Sequence, residues 1–448
     1  MELATVLIDL CIVATLLMVG AVIRAKVKIL QRFVIPAAVI GGFIGLLLGH
    51  NGLGVLPTTQ EYSNYAAVLI NIVFAGVFIG RTIPPLKKLG KTAGAQTFYA
   101  VFNNFGQIAV GMIVVLIFSA LGFALHPTFG MQLILGYQGG VGIPSAFAPV
   151  YENLGWTAEA ARAVGEACAI TGLILSILIG FFLLNLGVVR GFTKKKFYEK
   201  GKKLESHTFI PEEERKSIGK EITKSEALST MAYHFGFMGL AILGGKIVQW
   251  MLVSNFSQLR FIPLFPFVLV GGIIVQILLQ KTRLDTYVDR GTIGSISSVA
   301  LDVLIVTALI SINPKLVVIY ILPLTAMIVL GTVFNLWQLA WLAPRVLPGA
   351  WFEKALCEWG QGTGSTPSAM LLLRSADPEL ESGAAEAFGL KMFFTSPTMV
   401  PMLMLVSPIV VSRGPLFILG AYLVGMVAII AGLRVIAWIK RPDVHWTG

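Results

Sequence analysis

Two stretches of this chain gather glycine, hydroxyl and amide side chains in a pattern suited to holding a small polar solute. The later one, 351–377, reads Trp-Phe-Glu-Lys-Ala-Leu-Cys-Glu-Trp-Gly-Gln-Gly-Thr-Gly-Ser-Thr-Pro-Ser-Ala-Met-Leu-Leu-Leu-Arg-Ser-Ala-Asp. Its centre offers Gln361, Gly362, Thr363, Gly364, Ser365, Thr366 and Ser368 around Pro367. The earlier one, Tyr137-Gln-Gly-Gly-Val-Gly-Ile-Pro-Ser-Ala146, repeats the skeleton. Gly140, Gly142, Pro144, Ser145 and Ala146 match Gly362, Gly364, Pro367, Ser368 and Ala369, with one residue inserted before the later proline. Gln138 and Gly139 lead into it. Glycine lets backbone approach a ligand closely. A helix starting just after each break would present N–H groups to a carboxylate. Tight helix packing is reason enough for any single glycine, but not for two matched breaks.

Four ionisable or amide side chains in apolar surroundings join these candidates. Asp302 lies mid-helix in Val-Ala-Leu-Asp-Val-Leu-Ile. An ionised carboxylate there is expensive, so a cation or proton is its expected task. A protonated packing residue is the bland alternative. Asn71 occupies the matching place in the first half of the chain, where plain polar packing is an equal reading. Glu358, just before the later tip, suits a cation or a structural acceptor. Lys391 suits attraction of an anionic substrate, or snorkelling to the interface. Asp302, Asn71 and Glu358 are thus the sodium candidates, and Lys391 joins the two tips as a substrate candidate. Glu166 pairs with Arg162 at i, i+4, as a salt bridge at the helix mouth. Arg374 reads as a helix C-terminal cap.

The elements that position these residues are membrane helices. The 448 residues are 56% hydrophobic and only 13% charged, about half the charge of a soluble chain. The arms on either side of each break are too short to cross a hydrocarbon core, which takes roughly 20 apolar residues. Broken backbone is tolerated at that depth only in a protein-lined or watery setting. Both stretches therefore read as re-entrant hairpins, at 128–151 and 351–376. Paired Gly/Pro-interrupted segments in two halves point to a secondary-transporter site.

Hydropathy places spanning helices at 3–23, 33–49, 66–80, 93–125, 158–189, 231–253, 262–279, 293–312, 316–342, 384–411 and 416–438. The first apolar run starts at once, without a basic leader, and reads as a span rather than a cleaved signal. The net charge of +11 is gathered in the stretches 24–32, 81–91, 190–224 and 281–290 and the C-terminal tail. These fall on one side if the chain crosses about eleven times and the hairpins do not cross, which puts the N-terminus outside and the C-terminus in the cytoplasm. The expected architecture is an all-α polytopic membrane protein with two inverted repeats of five helices, each carrying a hairpin, and one extra C-terminal helix. The repeats are 1–189 and 227–411, joined by a basic linker, 190–226, and followed by 412–448. Pro36-Ala-Ala-Val-Ile-Gly-Gly42 also matches Pro266-Phe-Val-Leu-Val-Gly-Gly272 at the same spacing.

Several classes are excluded. There is no nucleophile elbow, phosphate loop or metal-ligand spacing, and the histidines are dispersed, so nothing points to an enzyme. Cys11, Cys168 and Cys357 suggest neither a disulfide framework nor a metal site. No ATP-binding module is present, which favours secondary transport. Nucleic acid is not an expected partner, and no cofactor is expected beyond a coupling ion. A passive channel would not need two hairpins entering from opposite sides. A scaffold would not need Asp302.

The chain resembles the bacterial sodium–glutamate symporter family. The resemblance is carried by Ile35-Pro-Ala-Ala-Val-Ile-Gly-Gly-Phe-Ile-Gly-Leu-Leu-Leu-Gly49, by 136–155 with Tyr151-Glu-Asn-Leu-Gly-Trp156, and by the run from Trp359 to Glu379. It covers most of the chain outside the linker. It implies sodium-driven symport of glutamate across the bacterial inner membrane, by a homodimer with a scaffold and an elevator-like core carrying both hairpins. It also implies that tips 138–145 and 361–368 line the substrate and sodium sites. The first tip, Gly139-Gly-Val-Gly142 after Tyr137-Gln138, lacks the histidine and hydroxyl donor of the family pattern. A sodium- or proton-coupled carrier of another organic anion or amino acid therefore stays open.

Overall fold

A computed structural model describes residues 3–32, 35–58, 62–81, 86–193, 208, 217–224, 226–256, 262–377 and 382–435. Most of the basic linker and the C-terminal tail lie outside the described residues. The described chain is all-helical. Its α-helices are α1 (Leu3–Lys26), α2 (Lys28–Arg32), α3 (Ala37–Leu48), α4 (Tyr62–Ala75), α5 (Leu86–Ala120), α6 (Gln132–Gly139), α7 (Ile143–Asn153), α8 (Ala158–Val189), α9 (Thr230–Asn255), α10 (Phe265–Thr282), α11 (Arg290–Ile310), α12 (Pro314–Ile319), α13 (Ile321–Trp337), α14 (Ala343–Val346), α15 (Trp351–Thr363), α16 (Thr366–Ala376), α17 (Ala384–Arg413) and α18 (Pro415–Val435). Among the described residues, eight helices are long and apolar enough to cross a membrane, and Ala37–Leu48 and Thr398–Arg413 are shorter apolar segments. The molecule is a polytopic membrane protein.

Prolines account for the main differences from the expected boundaries. The second helix is shorter than 33–49 because Pro36 stands at its N-cap in extended backbone, φ −59° and ψ 141°. The segment expected as one helix over 316–342 is divided. Asn313 caps α12 through Lys315 N, the helix breaks at Tyr320, and residues Gln338–Leu342 form a π-helical turn before α14. Pro344 lacks the amide that would bond the carbonyl four residues back, so the ladder widens ahead of it.

The chain divides into two compact units that do not follow the two halves of the sequence. The first comprises 1–83, 145–153 and 205–312; the second comprises 84–144, 154–204 and 313–448. In the first unit, α1, α3, α4 and α11 pack through glycine. A Cβ on Gly41 would lie 2.4 Å from Leu16 O, and one on Gly42 would lie 2.6 Å from Leu309 Cδ1. The matching pair in α10 does the same work, with Gly271 seated on Ala241 O. Small residues of this kind let membrane helices pack where lipid supplies no hydrophobic drive. Asp9 of α1, 4% exposed, is satisfied by Tyr62 Oη at 3.0 Å and Tyr65 Oη at 2.8 Å. At the start of α11, Asp289 accepts from Thr292 N at 2.7 Å and Thr292 Oγ1 at 2.8 Å, a helix N-cap.

In the second unit, α8 is the spine on which the second hairpin and the opening arm of the first lie. Its small residues recur at helical spacing and each meets a hairpin. Gly165 lies under Pro144 and Gln132, Gly172 under Thr363 O and Tyr137, Gly180 under Leu372, and Gly187 under Phe352. Around this seat Tyr99, Phe102, Leu183, Leu184, Trp359 and Leu372 form a buried apolar cluster. Trp359 Nε1 donates to Ser176 O at 2.9 Å, tying the arm of the second hairpin to the spine.

Candidate functional site

Both breaks occur where the glycines and prolines stand. The first hairpin's opening arm, α6, stops at Gly140, whose φ of 69° is left-handed and suits glycine. The next helix begins at Ile143. In the second hairpin α15 ends at Gly364 and α16 begins at Thr366. Gly364 has φ −128°, so conformation does not demand glycine there; packing does. A Cβ at Gly364 would lie 2.4 Å from Ser176 Oγ.

The structure brings the two tips together within the second unit. Gln361 Nε2 donates to Gln138 O at 3.4 Å, and Gly140 faces Gly364 O. Thr366 Oγ1 donates to Gln361 Oε1 at 2.8 Å, and Ser365 and Ser368 meet hydroxyl to hydroxyl at 3.3 Å. Thr363 turns its hydroxyl back to Trp359 O at 2.6 Å, within its own helix. Gly139 and Gly142 lie in the same tip as Gln138. Ser145 is buried and falls in the first unit, where the division cuts the hairpin after Pro144.

Beneath the tips lies a network of amides that the sequence reading did not single out. Asn103 of α5 is its hub. Its Nδ2 donates to Asn335 Oδ1 and to Gln338 Oε1, both at 2.6 Å. Its Oδ1 accepts from Gln107 Nε2 at 2.9 Å and from Gln138 Nε2 at 3.1 Å. Gln138 also donates to Asn104 Oδ1. Gln107 Nε2 reaches Gly362 O at 2.5 Å, and Gln338 Nε2 donates to Tyr99 O at 2.8 Å. Gln338 sits at the start of the π-helical turn, a distortion frequent at functional sites. The signal available in the sequence was the spacing Asn103–Gln107 and Asn335–Gln338, which puts each amide pair on one face of an otherwise apolar helix.

Lys391 and Glu358 are brought together with each other. Lys391 Nζ lies 3.0 Å from Glu358 Oε1, and the side chains are 2% and 5% exposed. Gln96 Nε2 donates to the same oxygen at 2.9 Å, and the ammonium lies over the Phe388 ring, 4.7 Å from its centroid. Burial is tolerable because each charge is paired and hydrogen-bonded.

Asn71 and Asp302 are in the first unit, on α4 and α11. Asn71 Nδ2 donates to Val68 O at 3.1 Å. Asp302 is exposed on the surface of α11 and makes no ion pair among the described residues. Arg374 is exposed as well. No group of three or more His, Cys, Asp or Glu side chains among the described residues is placed to hold a metal ion.

Hairpins broken in mid-helix, packed on a glycine-notched spine and joined by buried amides, define a membrane carrier. Residues 2–376 match the model of the sodium/glutamate symporter family, and the chain belongs to that family. The match takes in both hairpins and the amide network but stops short of α17, which carries Lys391. The chain is 25% identical over 312 residues to a sodium/glutamate symporter of Haemophilus influenzae, covering 68% of this chain and 71% of the relative. It is 25% identical over 377 residues to those of Escherichia coli K12 and Shigella flexneri, covering 80% of this chain and 86% of each relative. No solved structure matches. The family is one of transporters and not of enzymes.

Proposed function

We propose that this protein is a secondary active transporter that couples sodium entry to uptake of glutamate, or a similar small carboxylate, across the bacterial inner membrane. The observation that carries the reading is the meeting of the first tip, as far as Pro144, and the second tip at one amide network inside the second unit. Broken helices supply what a carboxylate and a sodium ion each need: free N–H groups at helix starts and free carbonyls at helix ends. Gln138, Gly139, Gly140, Gly142, Ser145, Gln361, Gly362, Thr363, Gly364, Ser365, Thr366 and Ser368 form the substrate tips, with Lys391 held behind them by Glu358. The candidate oxygen donors for sodium, a hard cation that takes oxygen ligands, are Asp302 and Asn71 in the first unit and, separately, Glu358 in the second.

The basic segments set the orientation, with the N-terminus outside and the C-terminus in the cytoplasm. With about eleven crossings, the two hairpins enter from opposite faces as parts of inverted repeats. Alternating access follows an elevator pattern, in which a core that carries both hairpins moves against a scaffold, and the carrier works as a homodimer.

Radiolabelled L-glutamate uptake into proteoliposomes, with and without an inward sodium gradient, tests the reading. Accumulation only with the gradient supports both substrate and coupling ion. No uptake by correctly inserted protein removes glutamate, and equilibration without accumulation removes coupling.

A further inference from the structure

The amide network beneath the tips is almost saturated, and its two unsatisfied atoms are informative. Gln107 Oε1 and Asn335 Nδ2 are buried without a hydrogen-bond partner among the described residues, although Gln107 is wholly buried and Asn335 is only 4% exposed. One is an acceptor and the other a donor. They belong to side chains that touch, since Gln107 Nε2 lies 3.3 Å from Asn335 Oδ1. Buried polar groups are otherwise almost always paired, so each such atom asks for a reason.

The network fixes the orientation of both amides. Turning Gln107 over would set its oxygen against Asn103 Oδ1 and Gly362 O, both acceptors. Turning Asn335 over would set its nitrogen against Asn103 Nδ2, a donor. Neither flip is tolerable, so the unspent ends are an oxygen on Gln107 and an N–H on Asn335.

We propose that Gln107 and Asn335 are specificity-determining residues that read the amino-acid head of the substrate, Gln107 Oε1 accepting from its ammonium and Asn335 Nδ2 donating to its α-carboxylate. The inference rests on the carrier reading above and deepens it. A zwitterionic head offers a donor and an acceptor on one carbon, which matches an acceptor and a donor on two touching amides. A dicarboxylate without the amine would present only a methylene to Gln107 Oε1 and leave that oxygen unpaired. Lys391, the buried cation behind tip two, is already neutralised by Glu358. Both unspent atoms are sealed in this conformation. The contact that must part to admit a ligand is Gln361 Nε2 to Gln138 O, at 3.4 Å the longest in the network and so among its weakest. A site that hydrogen-bonds a substrate group rejects the analogue lacking it strongly, because its own buried atom is then left unpaired.

The test is competition against sodium-driven uptake of labelled L-glutamate into proteoliposomes. The competitors are unlabelled L-glutamate, glutarate, which lacks the ammonium, and 4-aminobutyrate, which lacks the α-carboxylate. Wild-type protein is expected to favour L-glutamate over each analogue by at least about a hundredfold. Gln107→Met is expected to collapse the preference over glutarate at least tenfold. Asn335→Asp keeps the Oδ1 that serves Asn103 and Gln107 but removes the donor, and is expected to collapse the preference over 4-aminobutyrate. The ratios separate recognition from folding, because a purely structural loss lowers all three competitors together. Equal losses with unchanged ratios overturn the proposal, as does a wild type that glutarate inhibits as well as L-glutamate does. A change confined to sodium half-saturation would assign Gln107 Oε1 to the cation and overturn it too. Should Gln107→Met fail to fold, Asn335→Asp decides by itself. Absence of L-glutamate uptake in the wild type is a different result: it removes glutamate as the substrate, and this inference with it.

Discussion

Lys391 Nζ and Glu358 Oε1 face each other at 3.0 Å between α17 and the arm that leads into the second tip. Gln96 of α5 donates to the same carboxylate oxygen, so three helices converge on one charge. The pair fixes the depth of α15 about one turn before Gln361. A tip that must open and close needs a fixed arm behind it, and an ion pair inside a membrane protein holds its place because neither partner has water to turn to.

Glu358→Gln and Lys391→Met should each be strongly destabilising, by about 3–5 kcal/mol, because each leaves an uncompensated buried charge or its unsatisfied partner. Replacing both with apolar residues of similar volume should cost much less. The measurement is thermal unfolding of purified protein in detergent, beside uptake. A double variant whose loss equals the sum of the two single losses would show that the side chains do not act as a pair.

The two helix breaks were legible because their chemistry is local. The run Gly360–Gly364 with Pro367 carries the break, which falls at Gly364 and Ser365 between α15 and α16. The limits of α8 were equally plain, since an apolar run of that length has one reading. The amide network was not legible, because Asn103 and Asn335 are separated by 232 residues and each alone is an ordinary polar residue in a helix. Nor was the π-helical turn that carries Gln338, which follows from a proline several residues later. Glu358 and Lys391 each stand in the sequence as a lone charge in an apolar stretch. Nothing in their spacing says that they meet, because Lys391 lies on the helix after the hairpin.

Gly364→Val should abolish uptake while leaving membrane insertion intact, since the new Cβ would lie 2.4 Å from Ser176 Oγ and 2.8 Å from Ser176 Cβ. Overpacking of this kind costs about 1–3 kcal/mol and shifts the tip off its seat. The milder Gly364→Ala should be rescued by Ser176→Gly, which removes both clashing atoms. Uptake assays on reconstituted protein, with expression and inhibitor-free folding checked by gel filtration, decide the matter. Full activity of Gly364→Val would mean that the tip does not depend on close backbone approach.

Asp302 is the carboxylate on which sodium dependence is proposed to rest, and it is exposed along α11. Asp302→Asn keeps the shape and one oxygen but removes the charge. Half-saturation by sodium should rise about tenfold, the equivalent of about 1.4 kcal/mol, with the glutamate half-saturation less affected at high sodium. Flux measured against a sodium series reads this directly. Unchanged sodium activation would take Asp302 out of the ion site.

His126 gives the entry to the first hairpin a pH dependence whose sign is set by its bonds. Its Nε2–H donates to Leu154 O at 3.1 Å, and its Nδ1 accepts from Thr128 N at 3.3 Å and Thr128 Oγ1 at 2.7 Å. The ring also stacks on Trp156, with centroids 5.6 Å apart. Burial pushes its pKa below the ordinary histidine range, against the opposing pull of the Leu154 carbonyl. The folded protein therefore holds the ring neutral, while the unfolded chain takes up a proton near pH ~6.5. This contribution to stability is complete above about pH 6.5 and declines as the pH falls below it, because the unfolded state then binds more protons. A protonated Nδ1 can no longer accept from Thr128, so the 3-10 turn at Pro127–Met131 loses its cap. Thermal unfolding of the wild type should fall between about pH 6.5 and 5. In His126→Asn, which keeps a capping acceptor that does not titrate, the part of that fall due to residue 126 should vanish, leaving a flatter profile from a lower starting stability. Parallel profiles for the two proteins would show that the ring does not change charge in this window.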